Sequence, residues 1–117
     1  MIAEPRKTGL IGEMRAAQYL RRKGYTIVAA NYKTKTGEID IIAELDNLLC
    51  IIEVKTRREG GMFPPSDAVD YKKEENVKSA AAAFISAYNI VKLVRYDIIE
   101  IILTDDKYAV RHIENAF

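Results

Sequence analysis

The chain has 117 residues, of which 49% are hydrophobic and 30% charged, and its formal net charge is +1. These values exclude a disordered chain and predict a single globular domain over residues 1–117. The only cysteine, Cys50, excludes an internal disulfide and a cysteine-based zinc site. We expect a cytoplasmic protein with no membrane partner, because no apolar run reaches the roughly 18 residues of a span and no signal peptide begins the chain.

The first predicted element is a helix from Thr8 to Lys23, ended by Gly24. Glu13 lies in the arc that the helical period assigns to the core. A carboxylate on a core-facing stripe is costly unless it has a partner, so Glu13 is a candidate site residue. The apolar residues that predict this buried stripe are Leu10, Met14, Ala17 and Leu20.

Three strands are predicted next. The first covers Tyr25–Ala30, and the polar loop Lys33–Gly37 leads into the second. The second and third strands, Glu38–Leu45 and Leu48–Thr56, form a hairpin around the two-residue turn Asp46-Asn47.

A second helix and two strands complete the chain. After the loop Arg57–Pro65, Ser66 is the predicted N-cap of a helix that ends near Tyr88. The segments Asp97–Leu103 and Tyr108–Ile113 are predicted strands. The order α-β-β-β-α-β-β favours an α/β protein with a mixed central sheet flanked by helices.

Charged side chains lie inside the two strands of the hairpin. A two-residue turn places Asp40 opposite Glu53 and Glu38 opposite Lys55, with Cβ atoms about 4.5–5.5 Å apart. Opposed carboxylates repel each other and call for a cation, and oxygen ligands suit Mg²⁺ or Mn²⁺. The pattern therefore predicts a metal site at Asp40 and Glu53, with Glu13 either as a further ligand or as the residue that holds a metal-bound water.

Lys55 follows Glu53 by two positions and shares its face of the strand. Beside a bound metal, it could orient the attacking water and stabilise charge on a phosphorane-like transition state. A plainer interpretation is a solvent-exposed strand face with a cross-strand ion pair between Glu38 and Lys55. The apolar neighbours on both faces, Ile41, Ile42, Ile51 and Ile52, favour a covered sheet over this alternative. The role of Glu38 stays open.

An aspartate, a short hairpin and Glu-x-Lys form the core motif of PD-(D/E)XK nucleases, which include restriction endonucleases and Holliday-junction resolvases. Here the motif is Asp40 followed by Glu53-Val54-Lys55. A wider pattern, covering about residues 9–117, resembles the bacterial YraN-like (UPF0102) family of uncharacterised proteins. This pattern consists of Gly9, Gly12-Glu13, Asn31, Gly37-Glu38-Ile39-Asp40, Glu53–Arg57, Ala68-Val69, Lys73, Arg95-Tyr96-Asp97 and Ala116-Phe117.

The resemblance implies a restriction-endonuclease-like fold and a nuclease-type site. By that analogy Asp40 and Glu53 are metal ligands, Lys55 is the catalytic lysine and Glu13 is the acidic residue carried by the first helix. Lys73 matches a basic position that would contact phosphate. From the residues alone, further candidates for nucleic-acid binding are Arg57, Arg58, Lys33 and Lys35.

The leading hypothesis is a Mg²⁺- or Mn²⁺-dependent nuclease that acts on DNA, with branched or single-stranded DNA as expected substrates. One alternative is a module that keeps the nuclease fold and binds nucleic acid or protein without cutting, and another is a purely structural subunit of a larger DNA-processing complex. Resolvase-like proteins are dimers, so a homodimer is one expectation for the oligomeric state. His112, the only histidine, is predicted to be structural, and Cys50 to be a small buried core residue.

Overall fold

The computed structural model describes residues 5–60 and 70–117, with side chains from Gly9 onward in the first segment. The elements follow the predicted order α-β-β-β-α-β-β. Their bounds are α1 (Pro5–Arg22), β1 (Thr26–Lys33), β2 (Glu38–Leu45), β3 (Leu48–Arg58), α2 (Tyr71–Ala87), β4 (Leu93–Leu103) and β5 (Tyr108–Ile113).

The five strands form one sheet in sequence order, β1-β2-β3-β4-β5. β3 and β4 are parallel, and the other neighbours are antiparallel. A parallel pair needs a crossover connection, and α2 lies within the one between β3 and β4. The mixed sheet with helices is therefore confirmed.

Each helix packs on its own face of the sheet, and we call these the α1 face and the α2 face. The core on the α1 face consists of Ala16, Leu20, Tyr25, Ile41, Ala43, Cys50, Ile52, Ile99 and Ile101. The core on the α2 face consists of Ile39, Ile42, Leu49, Ile51, Val77, Ala80, Ala81 and Phe84. With both faces covered, β2 and β3 carry near-continuous apolar runs at their centres.

The buried stripe of α1 differs from the predicted one. Ala16 and Leu20 are fully buried, whereas the side chains of Leu10 and Met14 are 57% and 49% exposed. Gly12 lies directly against Thr56 of β3 and leaves no room for a Cβ. The helix therefore meets the sheet through its small residues, and this contact turns Leu10 and Met14 towards solvent.

Three strands are longer than predicted, and β3 ends at Arg58 rather than Thr56. β1 continues to Lys33, past a bulge between Ile27 and Ala29 and past Asn31, whose φ is +52°. β4 begins at Leu93 rather than Asp97, because residues 93–96 continue the parallel ladder with β3. The sequence prediction rested on the isoleucine-rich second half of β4 and did not include residues 93–96.

The second helix begins at Tyr71, and the Asp70 carboxylate caps it by accepting the backbone N–H of Lys73 at 3.0 Å. The predicted N-cap, Ser66, lies outside the described residues. Ala80 and Ala81 are fully buried against the sheet, which explains the alanine run as close helix–sheet packing.

Candidate active site

The hairpin register is the predicted one from the Leu45–Leu48 pair to the Ile41–Ile52 pair, after which the ladder between β2 and β3 ends. The next residues, Asp40 and Glu53, therefore do not form a ladder pair. Instead the Asp40 carboxylate accepts the backbone N–H of Val54 through Oδ2 at 2.8 Å. This bond satisfies a β3 donor where β2 separates from β3.

A local irregularity at Asp40 accompanies this separation. Ile39 and Ile42 both pack on the α2 face, and Ile41 packs on the α1 face, so the alternation of β2 breaks between 39 and 41. The β1 residue opposite Asp40 is Asn31, which adopts a left-handed backbone conformation. Asp40 consequently lines cavities on both faces of the sheet.

The cavity on the α2 face has a volume of about 100 Å³ and contains the acidic pair. Its wall combines Glu38, Asp40 and Glu53 with Lys73 of α2 and with apolar Ile39, Ile52 and Val77. Lys73 Nζ lies 2.5 Å from Glu53 Oε1. Lys73, which is predicted to contact phosphate, therefore already forms an ion pair with Glu53, one of the two candidate metal ligands.

Asp40 is the most strongly perturbed carboxyl group of this cavity. Burial raises its pKa from 3.8 to about 6, and the negative charges of Glu13 and Glu53 act in the same direction. The Val54 N–H and the Lys73 ammonium act against this rise without cancelling it. Asp40 is therefore poorly compensated in its ionised form, which is the electrostatic condition that a bound cation relieves.

Lys73 supplies part of that compensation. Burial on its own would lower the pKa of Lys73, but the hydrogen bond to Glu53 and the nearby charges of Glu53, Asp40 and Asp70 raise it overall. Lys73 is therefore a firmly charged cation above two acidic side chains.

Glu13 approaches Asp40 from the opposite side. Both line a groove of about 310 Å³ on the α1 face, together with exposed Leu10 and Met14. The spacing argument that singled out Glu13 thus selected a residue beside Asp40, although its partner in the groove is another acid.

Two glycines allow the helices to come this close. Gly12 packs on Thr56, and a Cβ at Gly37 would lie 2.5 Å from the backbone oxygen of Asn76 in α2. Because that neighbour is backbone, a side chain at 37 would push α2 away from the start of β2. Gly12 precedes Glu13, and Gly37 lies three residues before Asp40, so both contacts fix acidic residues relative to the sheet.

The basic residues after Lys55 separate onto opposite faces. Arg57 shares the face of Glu53 and Lys55, where its Nη2 lies 2.9 Å from Glu100 Oε2 of β4. Arg58 projects to the other face and lines a depression with Glu59, Leu103, Thr104 and Asp105. The sequence treated the two arginines as one unit, and strand alternation divides them.

The residues before Asp40 lie at the edge of the site. Lys33 pairs with Glu38 in the ladder between β1 and β2, and both are exposed. Lys35 is exposed in the turn that follows β1. Thr36 ties this turn to α2 through its hydroxyl, which lies 2.9 Å from Ser79 Oγ.

The chemistry of the donors suits a hard cation, because Asp40 and Glu53 supply carboxylate oxygens and Mg²⁺ needs only one or two of them. Within residues 5–60 and 70–117, no three His, Cys, Asp or Glu side chains lie close enough to share one ion. Asp40 and Glu53 are the residues that would hold the metal, and the metal site remains a prediction.

A second polar centre, which the sequence did not predict as a network, lies on the α1 face. Asp97 is fully buried and accepts hydrogen bonds from Arg95 Nε at 2.8 Å, Cys50 Sγ at 3.0 Å and Asn115 N at 3.0 Å. His112 Nε2 lies 2.7 Å from the same carboxylate. The signal in the sequence was an aspartate at the start of an isoleucine-rich strand.

The described chain is a mixed α/β domain with an acidic pocket at the point where two central strands separate. No helix among the described residues is both long enough and apolar enough to cross a membrane. The family model described as "Uncharacterised protein family UPF0102" matches residues 12–101. The chain belongs to this family.

Relatives match over almost their whole length. A UPF0102 protein of Alkaliphilus oremlandii is 43% identical over 115 residues, covering 96% of this chain and 98% of the relative. One from Syntrophomonas wolfei is 41% identical, with 96% and 98% coverage. One from Caldanaerobacter subterraneus is 43% identical, with 93% coverage of both chains. The recognition of the family from its sequence pattern is confirmed.

Proposed function

We propose that the chain is a metal-dependent nuclease that hydrolyses phosphodiester bonds of DNA, with branched or single-stranded DNA as its substrates. The observation that carries this proposal is the under-compensated Asp40 carboxylate, which shares a small cavity with Glu53 and lies near Glu13. A site built only for stability would favour a neutral or fully paired group at this position.

In this function Asp40 and Glu53 hold Mg²⁺ or Mn²⁺, which supplies a more acidic water and offsets charge on the phosphate. The Val54 N–H fixes one oxygen of Asp40 and so orients the carboxylate. Lys55, on the Glu53 face of β3, stabilises the charge that develops on the phosphate oxygens. Glu13 reaches Asp40 from the other face and adds negative charge that favours cation binding.

The test combines metal binding with cleavage. Isothermal titration with Mn²⁺ should detect binding to the wild-type protein and not to Asp40→Asn or Glu53→Gln. The wild-type protein should cut at least one of duplex, single-stranded and four-way-junction DNA in Mg²⁺ or Mn²⁺. Both variants should lose at least about 100-fold in rate.

Two further variants sharpen this test. Lys55→Gln should lose cleavage while still binding Mn²⁺, because the lysine acts on the phosphate and not on the metal. Glu75→Gln, at an exposed position of α2, makes the same charge change as Glu53→Gln and should leave both properties intact. Full cleavage by the Asp40 and Glu53 variants would refute the site.

A second candidate function is a binding module that keeps the fold and does not cut. The Lys73–Glu53 ion pair favours it, because the lysine already neutralises one of the two candidate ligands. DNA binding by the wild-type protein, without Mn²⁺ binding at millimolar concentration and without cleavage, would support the module over the nuclease.

A further inference from the structure

Lys73 brings the only positive charge among the described residues that line the acidic cavity on the α2 face. Its ammonium contacts Glu53 Oε1, and Asp40 lines the same cavity. The Glu53 side chain is 7% exposed, whereas the Lys73 side chain is 57% exposed. The carboxylate is therefore held inside the protein, and its cationic partner reaches it from the surface.

The backbone of Lys73 is fixed, and its side chain is free to move towards solvent. The Asp70 carboxylate caps α2 by accepting the Lys73 backbone N–H at 3.0 Å. Val77, one turn further along α2, is buried against the sheet and lines the same cavity. The ammonium lies at the end of a flexible four-carbon stem, so it can leave Glu53 by side-chain rotation without a shift of the helix.

The single charge of Lys73 does not satisfy both carboxylates of the cavity. It stabilises the ionised form of Asp40, yet burial and the neighbouring acids still raise the pKa of Asp40 to about 6. A divalent ion at the same carboxylates would supply twice the charge of an ammonium. It would also repel that ammonium, because like charges a few ångströms apart in a partly buried site are weakly screened.

We propose that Lys73 takes the place of the metal ion in the metal-free protein, and that a divalent cation displaces its ammonium from Glu53 when it binds. This proposal rests on the metal site of the proposed function and adds a residue that sets the affinity of that site without being a ligand. It also reconciles the Lys73–Glu53 ion pair with metal binding. A displaceable ammonium lowers the affinity for the metal but leaves both carboxylates available to it.

The first test measures Mn²⁺ binding by isothermal titration at pH 8, where Asp40 is ionised. Lys73→Gln should bind Mn²⁺ about ten-fold more tightly than the wild-type protein, because the metal no longer has to break an ion pair. Lys73→Arg keeps the charge and should bind no more tightly than the wild-type protein. The matched control is Lys72→Gln, which makes the same charge change at the neighbouring exposed position of α2 and should change Kd by less than about two-fold.

The second test needs no activity and compares Tm in EDTA with Tm at saturating Mn²⁺. In EDTA, Lys73→Gln should lower Tm by about 4 °C, because Glu53 loses its partner. At saturating Mn²⁺ the difference should disappear, because the metal has then replaced the lysine in the wild-type protein as well. A lysine with only a structural role would lower Tm equally in both conditions.

The outcomes separate this proposal from the nuclease. Equal Mn²⁺ affinity of the wild-type and Lys73→Gln proteins, or an equal gain in Lys72→Gln, would overturn displacement and leave the metal site in place. Mn²⁺ binding by Lys73→Gln alone would support displacement and refute a metal-dependent nuclease in the wild-type protein. Binding by neither protein would overturn both.

Discussion

Two aspartates on the same sheet, fully buried Asp97 and half-buried Asp40, have opposite electrostatic environments. Burial would raise the pKa of Asp97, but donors from Arg95, Cys50, Asn115 and His112 outweigh it and lower the pKa. Burial also raises the pKa of Asp40, and there the Val54 backbone N–H and the Lys73 ammonium offset it only in part, which leaves the pKa at about 6.

The difference separates a structural carboxylate from a candidate functional one. Asp97 joins β4 to β3, to β5 and to the residues after β5, since its partners come from all of these segments. Asp40 contacts the backbone of one neighbouring strand and otherwise faces two cavities. A buried charge that the fold does not compensate is a cost to stability, and such costs are concentrated at functional sites.

The largest expected effect is at Asp97. Asp97→Ala removes the partner of Arg95 and leaves buried donors unsatisfied, so the free energy of unfolding should fall by about 3–5 kcal/mol. Urea unfolding followed by circular dichroism measures it, with Asp105→Ala in the exposed β5 turn as control. If Asp97→Ala folds poorly, Asp97→Asn tests the same point with a smaller loss. A loss below about 1 kcal/mol in both variants would contradict the interpretation of Asp97 as a structural carboxylate.

Asp40→Asn, unlike the Asp97 variants, should raise the free energy of unfolding. The pKa of Asp40 is higher in the folded protein than its ordinary value of 3.8, so its stabilising contribution is full below about pH 4 and is lost as the pH rises through 6. The neutral asparagine avoids that loss. We expect a gain of about 2 kcal/mol at pH 8, after allowance for partial screening, and almost none at pH 4.

Unfolding curves of Asp40→Asn and the wild-type protein at pH 4, 6 and 8, without divalent metal, measure this prediction. Asn can still accept the Val54 N–H, so the variant isolates the charge. An equal or larger gain at pH 4 would show that the carboxylate is not the cause.

Bound metal should reverse the penalty at Asp40. At ten times its Kd, Mn²⁺ should stabilise the wild-type protein by about 1.4 kcal/mol, because only the folded chain forms the site. Asp40→Asn should show no such rise in Tm. Asp97→Asn, which lies outside the cavity, should keep it, and a loss of the Mn²⁺ effect there would mean that the two centres are not independent.

The smallest effect concerns the outer part of the Asp97 network. Arg95 Nη2 donates to the Tyr25 hydroxyl at 2.7 Å. Tyr25→Phe removes this acceptor and should cost about 1 kcal/mol in urea unfolding. Tyr88→Phe, at a side chain that is 63% exposed, should change stability by less than half of that. Equal losses of stability in Tyr25→Phe and Tyr88→Phe would show that the hydrogen bond from Arg95 is not the cause.

Much of the fold could be predicted from local pattern. Alternation and turn signals gave the hairpin with its register, and the helical period gave two helices in the right order. The face of α1 could not be read in this way. Leu10 and Met14 continue the apolar period, but the contact of Gly12 with Thr56 decides which side of the helix meets the sheet.

The candidate site was predicted in its residues more than in its geometry. Charges inside apolar strands selected Asp40 and Glu53, and the same signal was present at Asp97 and Glu100 without being used. The ladder pair of Asp40 and Glu53 was wrong as geometry, because β2 leaves β3 one residue earlier. Register extrapolation assumes regular strands, and the alternation of β2 breaks at Asp40, opposite the left-handed residue Asn31 of β1.

The sequence by itself determined the order of the elements, the hairpin register near its turn, the family and the acidic residues of the pocket. The elements and the register follow from short-range rules, since side-chain period and turn chemistry act over a few residues, whereas the family follows from a residue pattern along the whole chain. Tertiary structure alone decided that Lys73 contacts Glu53, and that Asp97 is fully compensated while Asp40 is compensated only in part. Burial and charge compensation are sums over neighbours distant in sequence, so only the folded chain fixes them.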